Sequence, residues 1–245
     1  VRFYLVWMTT AATYQDVPAP APADPWVLLH GTPLTPEVWA EVRPYLAGAS
    51  VFCPNITPIE PGTAALVERV REHTAAISGR FRLVGHSFGG QVAIDVATAM
   101  PDRVSHITIL CSRDTPFPAF EATVTGLRAG TRPSPDATLA RWFRPGELAA
   151  NGRAVTYARS RLEQTDLQSW ASALQTIAHY EHPTALSNLG IPVTLIACEF
   201  DAVSSPTTMK EMADRIPGAT YRLLTGAAHM SPFLHPRALA GLLQG

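Results

Sequence analysis

Short apolar runs recur along the chain at 26–30, 50–54, 81–86, 104–111, 193–198 and 220–224. Each has the length of a strand and little polar alternation, which predicts strands covered on both faces. Between them, 36–46, 63–77, 90–100, 207–216 and 236–243 carry apolar residues at helical spacing, several opening at Thr or Pro. Strand and helix in alternation predict an α/β fold, a mostly parallel sheet flanked by helices. The lead segment adds runs at 2–8 and 12–16 before a stiff Pro-rich connection, 17–25, and these are expected to pair antiparallel at the sheet edge, making about eight strands. After Cys111 the alternation stops. From about 114 to 190 there is no central strand, only three or four helical stretches broken at Gly126, Gly130, Pro133, Pro145 and Gly152. The chain thus divides into a core, 1–113 and 190–245, and a helical cap, 114–189, inserted after the sixth strand.

Composition narrows the class. A chain of 245 residues with 47% hydrophobic residues can bury one full α/β core. With 19 basic against 20 acidic residues and no polybasic run, neither nucleic acid nor a membrane surface is an expected partner. The expected partner is a small, largely uncharged substrate, with the chain a monomer or homodimer. Residues 1–8 are apolar but far short of the roughly 20 a membrane helix needs. Residues 9–12 make a poor cleavage site, so a cytoplasmic protein is expected, with Met8 an alternative to Val1 as physiological start. Cys53, Cys111 and Cys198 are odd in number, each lies in or beside a predicted strand, and no ligand spacing accompanies them. They read as core filler, without a metal site or disulfide framework.

One segment carries chemistry outright. The strand 81–84 runs into Gly85-His86-Ser87-Phe88-Gly89-Gly90 and then a helix, which is G-x-S-x-G in the strand–turn–helix setting that exposes a nucleophilic serine. Gly85 and Gly89 let strand and helix approach closely, and the helix start favours negative charge beside Ser87. A serine hydroxyl also needs a base and a carboxylate to orient that base. Downstream, Asp201 lies on the loop after 193–198, and His229 follows 220–224 through the small residues Gly226, Ala227 and Ala228. The order Ser, Asp, His is that of this architecture. Asp201 capping a turn is the plainer alternative, and Asp114 and Glu199 are spare acids. Upstream, the strand 26–29 ends in His30-Gly31-Thr32-Pro33, which nominates the backbone N–H groups of Thr32 and Phe88 as the oxyanion hole. Candidates for the substrate pocket are His30, Trp142, Phe143 and Met230. For His30 the alternative is a hydrogen bond that fixes its loop, and for Trp142 and Phe143 it is docking of the cap.

With these three motifs in order, the chain resembles the α/β-hydrolase superfamily from Tyr14 to Leu243. Leu139-Ala140-Arg141-Trp142-Phe143 and Asp166-Leu167 are similar to the 3-oxoadipate enol-lactonase branch and its small-molecule esterases. The resemblance implies that the insertion is a lid that shapes the pocket. The elbow departs from the enol-lactonase pattern at His86, as in many general esterases, and at Phe88, where methionine is usual, which keeps esters beside lactones as expected substrates. The expected function is hydrolysis of a carboxylic ester or lactone of a small, largely apolar molecule through an acyl-enzyme, with no cofactor and no metal. The alternatives on the same fold are a ligand receptor, or haloperoxidase, perhydrolase, C–C hydrolase or elimination chemistry.

Overall fold

The computed structural model describes residues 23–46 and 48–245. Its sheet comprises β1 (Trp26–Leu29), β2 (Val51–Phe52), β3 (Phe81–His86), β4 (Val104–Leu110), β5 (Val193–Cys198) and β6 (Thr220–Leu224). All pair in parallel, in the spatial order β2-β1-β3-β4-β5-β6. Every residue of β1 and β5 is buried, which explains runs without polar alternation. The edges read differently: β2 is two half-buried residues, and β6 exposes Thr220 and Leu223. Because β2 and β3 flank β1 on opposite sides, the chain reverses its direction across the sheet there. A crevice therefore opens beyond the carboxyl ends of β1 and β3, where such sheets bind ligands.

Helices α1 (Ala64–His73) and α2 (Phe88–Ala99) follow β2 and β3. Between β4 and β5 stand α3 (Glu121–Arg128), α4 (Pro135–Trp142), α5 (Pro145–Ala150), α6 (Arg153–Gln164) and α7 (Leu167–His179). The chain closes with α8 (Pro206–Asp214), β6 and α9 (Pro236–Gln244). Polar residues set several starts: Ser134, Asp166 and Ser205 each accept an N–H from the first turn of α4, α7 and α8. No helix among the described residues is long and apolar enough to cross a membrane.

The details differ from expectation where proline and glycine act. Six strands, not eight, lie among the described residues, so the insertion follows the fourth of them; the runs at 2–8 and 12–16 fall outside the described residues. The helix expected over 36–46 is replaced by two 3₁₀ turns, Pro36–Trp39 and Arg43–Tyr45. Pro44 has no N–H to donate and its ring would strike a carbonyl of the preceding helical turn. The strand expected over 50–54 stops at Phe52, ahead of Pro54. The insertion holds five α-helices rather than three or four: Gly126 lies within α3 instead of breaking it, while Asp166 caps a separate α7 after α6 has ended at Gln164. Pro145 and Gly152 mark helix starts, as the first residue of α5 and the N-cap of α6.

Candidate active site

Ser87 stands alone between β3 and α2, with φ 53° and ψ −123°, a backbone conformation that L-residues with side chains rarely adopt. Close packing holds it there. A Cβ on Gly85 would collide with the backbone of Gly89 and Gly90, and one on Gly89 would lie 2.5 Å from His30 O. Ser87 N–H donates to Leu110 O at 3.0 Å, and Ser112 Oγ–H donates to Ser87 O at 2.6 Å. The half-buried serine thus faces the crevice on a backbone fixed from β4, with the N-terminus of α2 directly behind it.

Asp201 and His229 come from the loops after β5 and β6. His229 is 2% exposed, and its Nδ1 lies 2.7 Å from Asp201 Oδ2. A carboxylate only accepts, so Nδ1 carries the proton and Nε2 keeps its lone pair when the imidazole is neutral. Asp201 Oδ1 accepts N–H groups from Val203 at 2.7 Å and Ser204 at 2.9 Å. The acid therefore caps its turn with one oxygen and orients His229 with the other. The spare acids are engaged elsewhere: both oxygens of buried Asp114 accept from Arg215 at 2.7 Å, and Glu199 accepts Gly226 N–H.

Ser87, His229 and Thr32 line one cavity of about 130 Å³. The rest of its wall is mainly apolar, from Phe117, Phe120, Trp142, Trp170, Leu174 and Ile177, and among the described residues Arg141 is its one permanently charged side chain. The loop after β1 touches the elbow, since a Cβ on Gly31 would meet Ser87 Cβ at 3.0 Å. Phe88 is the first residue of α2, whose opening N–H groups have no partner within the helix. Of the pocket candidates only Trp142 is on this wall. Phe143 and Met230 are buried in the core, and His30 lines a separate narrow cleft. The apolar face of α7, with Trp170, Leu174 and Ile177 at helical spacing, supplies the wall that sequence reasoning missed.

Two further histidines hold the frame. His30 Nδ1–H donates to Gly31 O at 2.8 Å and its Nε2 accepts Ile56 N–H at 3.0 Å, so it ties the β1 loop down. Burial depresses its pKa to about 4. His86 Nε2–H donates to His229 O at 3.3 Å, and its ring lies 4.9 Å from that of His229. Burial and the nearby His229 ring lower its pKa well below the usual value. Cys111, with φ 48°, places its sulfur 3.3 Å from Cys198 Sγ, and the Cys198 thiol and burial raise its pKa well above the ordinary value. Cys111, Asp201 and His229 bring three metal-ligating atoms within 4.8 Å of one another. The imidazole and carboxylate already satisfy each other there, and the thiol is held in its protonated form, a poor donor set for an ion.

Comparison with known proteins identifies the family. Pimeloyl-[acyl-carrier protein] methyl ester esterase of Aromatoleum aromaticum is 29% identical over 241 residues, 89% of this chain and 96% of that protein. 3-Oxoadipate enol-lactonase 2 of Acinetobacter baylyi is 25% identical over 157 residues, 63% of this chain and 58% of that one. The crystal structure of the enol-lactonase from Burkholderia xenovorans LB400 superposes with a TM-score of 0.81 at 20% identity, over 90% of each chain. Residues 26–242 match the alpha/beta hydrolase family, and the chain belongs to that family.

Proposed function

We propose that the protein is a serine hydrolase that cleaves a carboxylic ester or lactone of a small, largely apolar molecule through an acyl-enzyme. The observation that carries this reading is that Ser87, on its strained turn, and His229, anchored 2.7 Å from buried Asp201, face one apolar cavity. In this reading Ser87 Oγ attacks the carbonyl while His229 Nε2 takes its proton, and Asp201 steadies the imidazolium. The N–H groups of Thr32 and Phe88 bind the oxyanion, and His229 returns the proton to the leaving alkoxide. Water, deprotonated by His229, then releases the acid. Residues 114–189 act as the lid over this cavity. The relatives named for a methyl ester and an enol-lactone support the same carbonyl chemistry, open-chain in one case and cyclic in the other.

The test is turnover of short p-nitrophenyl esters and of small lactones, together with labelling by a serine-reactive phosphonate read by peptide mass spectrometry. Label on Ser87 is expected, and Ser87→Ala is expected to reduce kcat on the order of 10³-fold or more. Undiminished turnover by Ser87→Ala would refute the assignment. Neither label nor turnover in the wild-type protein would favour a ligand receptor on the same fold.

A further inference from the structure

The loop that carries His229 is held from two sides, and only one of them is the sheet. From the core, His86 donates to His229 O, and Phe200 N–H donates to Ala227 O at 2.8 Å. The other side is the corner between α4 and α5, within the insertion. Met230 N–H donates to Trp142 O at 2.9 Å. Ala228 N–H donates to Ser231 Oγ at 2.7 Å, and the Ser231 hydroxyl donates in turn to Glu147 Oε2 at 2.9 Å. The same carboxylate oxygen accepts Arg144 N–H at 2.7 Å. Arg144 completes the corner by stacking its guanidinium 3.7 Å over the ring of Phe200, the neighbour of Asp201.

We propose that Glu147 is a positioning residue for His229: through the Ser231 hydroxyl it fixes the residues on both sides of the imidazole, so the insertion holds the base as well as covering the cavity. The directions of the bonds require an acceptor at position 147. Ser231 accepts from Ala228, its one proton therefore points at Glu147, and removing that carboxylate takes away the protein acceptor that holds the hydroxyl in this direction. Glu147 is not on the cavity wall; it faces a separate surface cleft beside Ser231, Pro232 and His235. It acts on the reaction through geometry alone and has no contact with substrate, which separates its effect on kcat from any effect on KM. A purely structural role, accepting the Arg144 N–H at the start of α5, would lower stability and leave kcat alone.

The inference rests on the serine-hydrolase reading, so the experiment carries Ser87→Ala beside Glu147→Ala, Glu147→Gln and Ser231→Ala, on whichever p-nitrophenyl ester the wild-type protein turns over. Glu147→Ala and Ser231→Ala are expected to lower kcat about tenfold or more with KM within about twofold, since misplacing a catalytic group by a fraction of an ångström has effects of that size. Glu147→Gln keeps an acceptor oxygen and is expected to stay within about threefold of wild type. Wild-type kcat in Glu147→Ala, or a Gln variant as impaired as the Ala variant, overturns the proposal while an inactive Ser87→Ala leaves the hydrolase reading standing. An active Ser87→Ala removes the hydrolase reading itself. If Glu147→Ala does not fold, Ser231→Ala decides alone, because it breaks the same bridge from the other end.

Discussion

His30 and His86 flank the loop that carries Ser87 as neutral imidazoles, and their burial makes the stability of the whole chain depend on pH. In the unfolded chain a histidine takes up a proton near pH 6.5, whereas burial holds His30 unprotonated down to about 4. Between those values the unfolded state binds more protons than the folded one, so stability falls as the pH falls. The contribution of His30 is present in full above about pH 6.5 and is lost towards pH 4; that shift corresponds to roughly 3 kcal/mol. His86 adds to the same slope, since its pKa is also lowered by burial. Urea denaturation followed from pH 7.5 to 4.5 should show the midpoint drop. In His30→Gln, which still offers an oxygen to Ile56 N–H but does not titrate, the drop should be shallower. Equal slopes in the two proteins would remove His30 from the account.

At the scale of elements, one ion pair joins helix to sheet. Arg215 follows α8, and Asp114 lies just beyond β4 with its side chain 4% exposed. Truncating Arg215 to Ala leaves that carboxylate buried and unpaired, a loss of about 2 kcal/mol, below the full figure for a buried pair because the arginine is partly exposed. Arg71, paired with Glu68 on the outside of α1, is the control: Arg71→Ala should change stability by less than about 0.5 kcal/mol. Matching thermal shifts in the two variants would contradict the distinction. Burial also explains what was legible in the sequence. β3, β4 and β5 announce themselves as unbroken apolar runs because both faces are covered, and the glycines around Ser87 mark a close approach that only glycine permits. Asp201 and His229 were legible from their places after late strands. The turns at 36–46 were not, since apolar spacing outweighed the veto of Pro44. Nor was the bridge between Glu147 and Ser231, residues 84 apart with no local pattern to connect them.

Across the whole molecule, the insertion is moored to the core far from the His229 loop as well. Tyr157 OH accepts Thr35 N–H at 2.9 Å, Gly62 N–H donates to Thr176 Oγ1 at 2.7 Å, and Tyr180 OH and His182 Nδ1 both reach Asp95 on α2, at 2.9 and 2.7 Å. A segment tied at both ends and along its length cannot swing away as one piece without breaking these bonds together. Opening should instead be local, and burial says where. In α7, of 13 residues, eight are buried: Trp170, Ala171, Ser172, Ala173, Leu174, Thr176, Ile177 and Ala178. In α3, of 8 residues, only Val124 and Leu127 are. The free energy of local opening follows the buried contacts that must be given up, so α7 belongs with the sheet, and α3, with the turn at Pro118–Phe120 that lines the cavity, opens first. Native-state hydrogen exchange should therefore find α7 amides as protected as those of α2, and α3 amides exchanging at a lower free energy. If all five helices of the insertion exchanged together at one low free energy, the insertion would swing as one piece, and α3 would lose its distinction as the element that opens first.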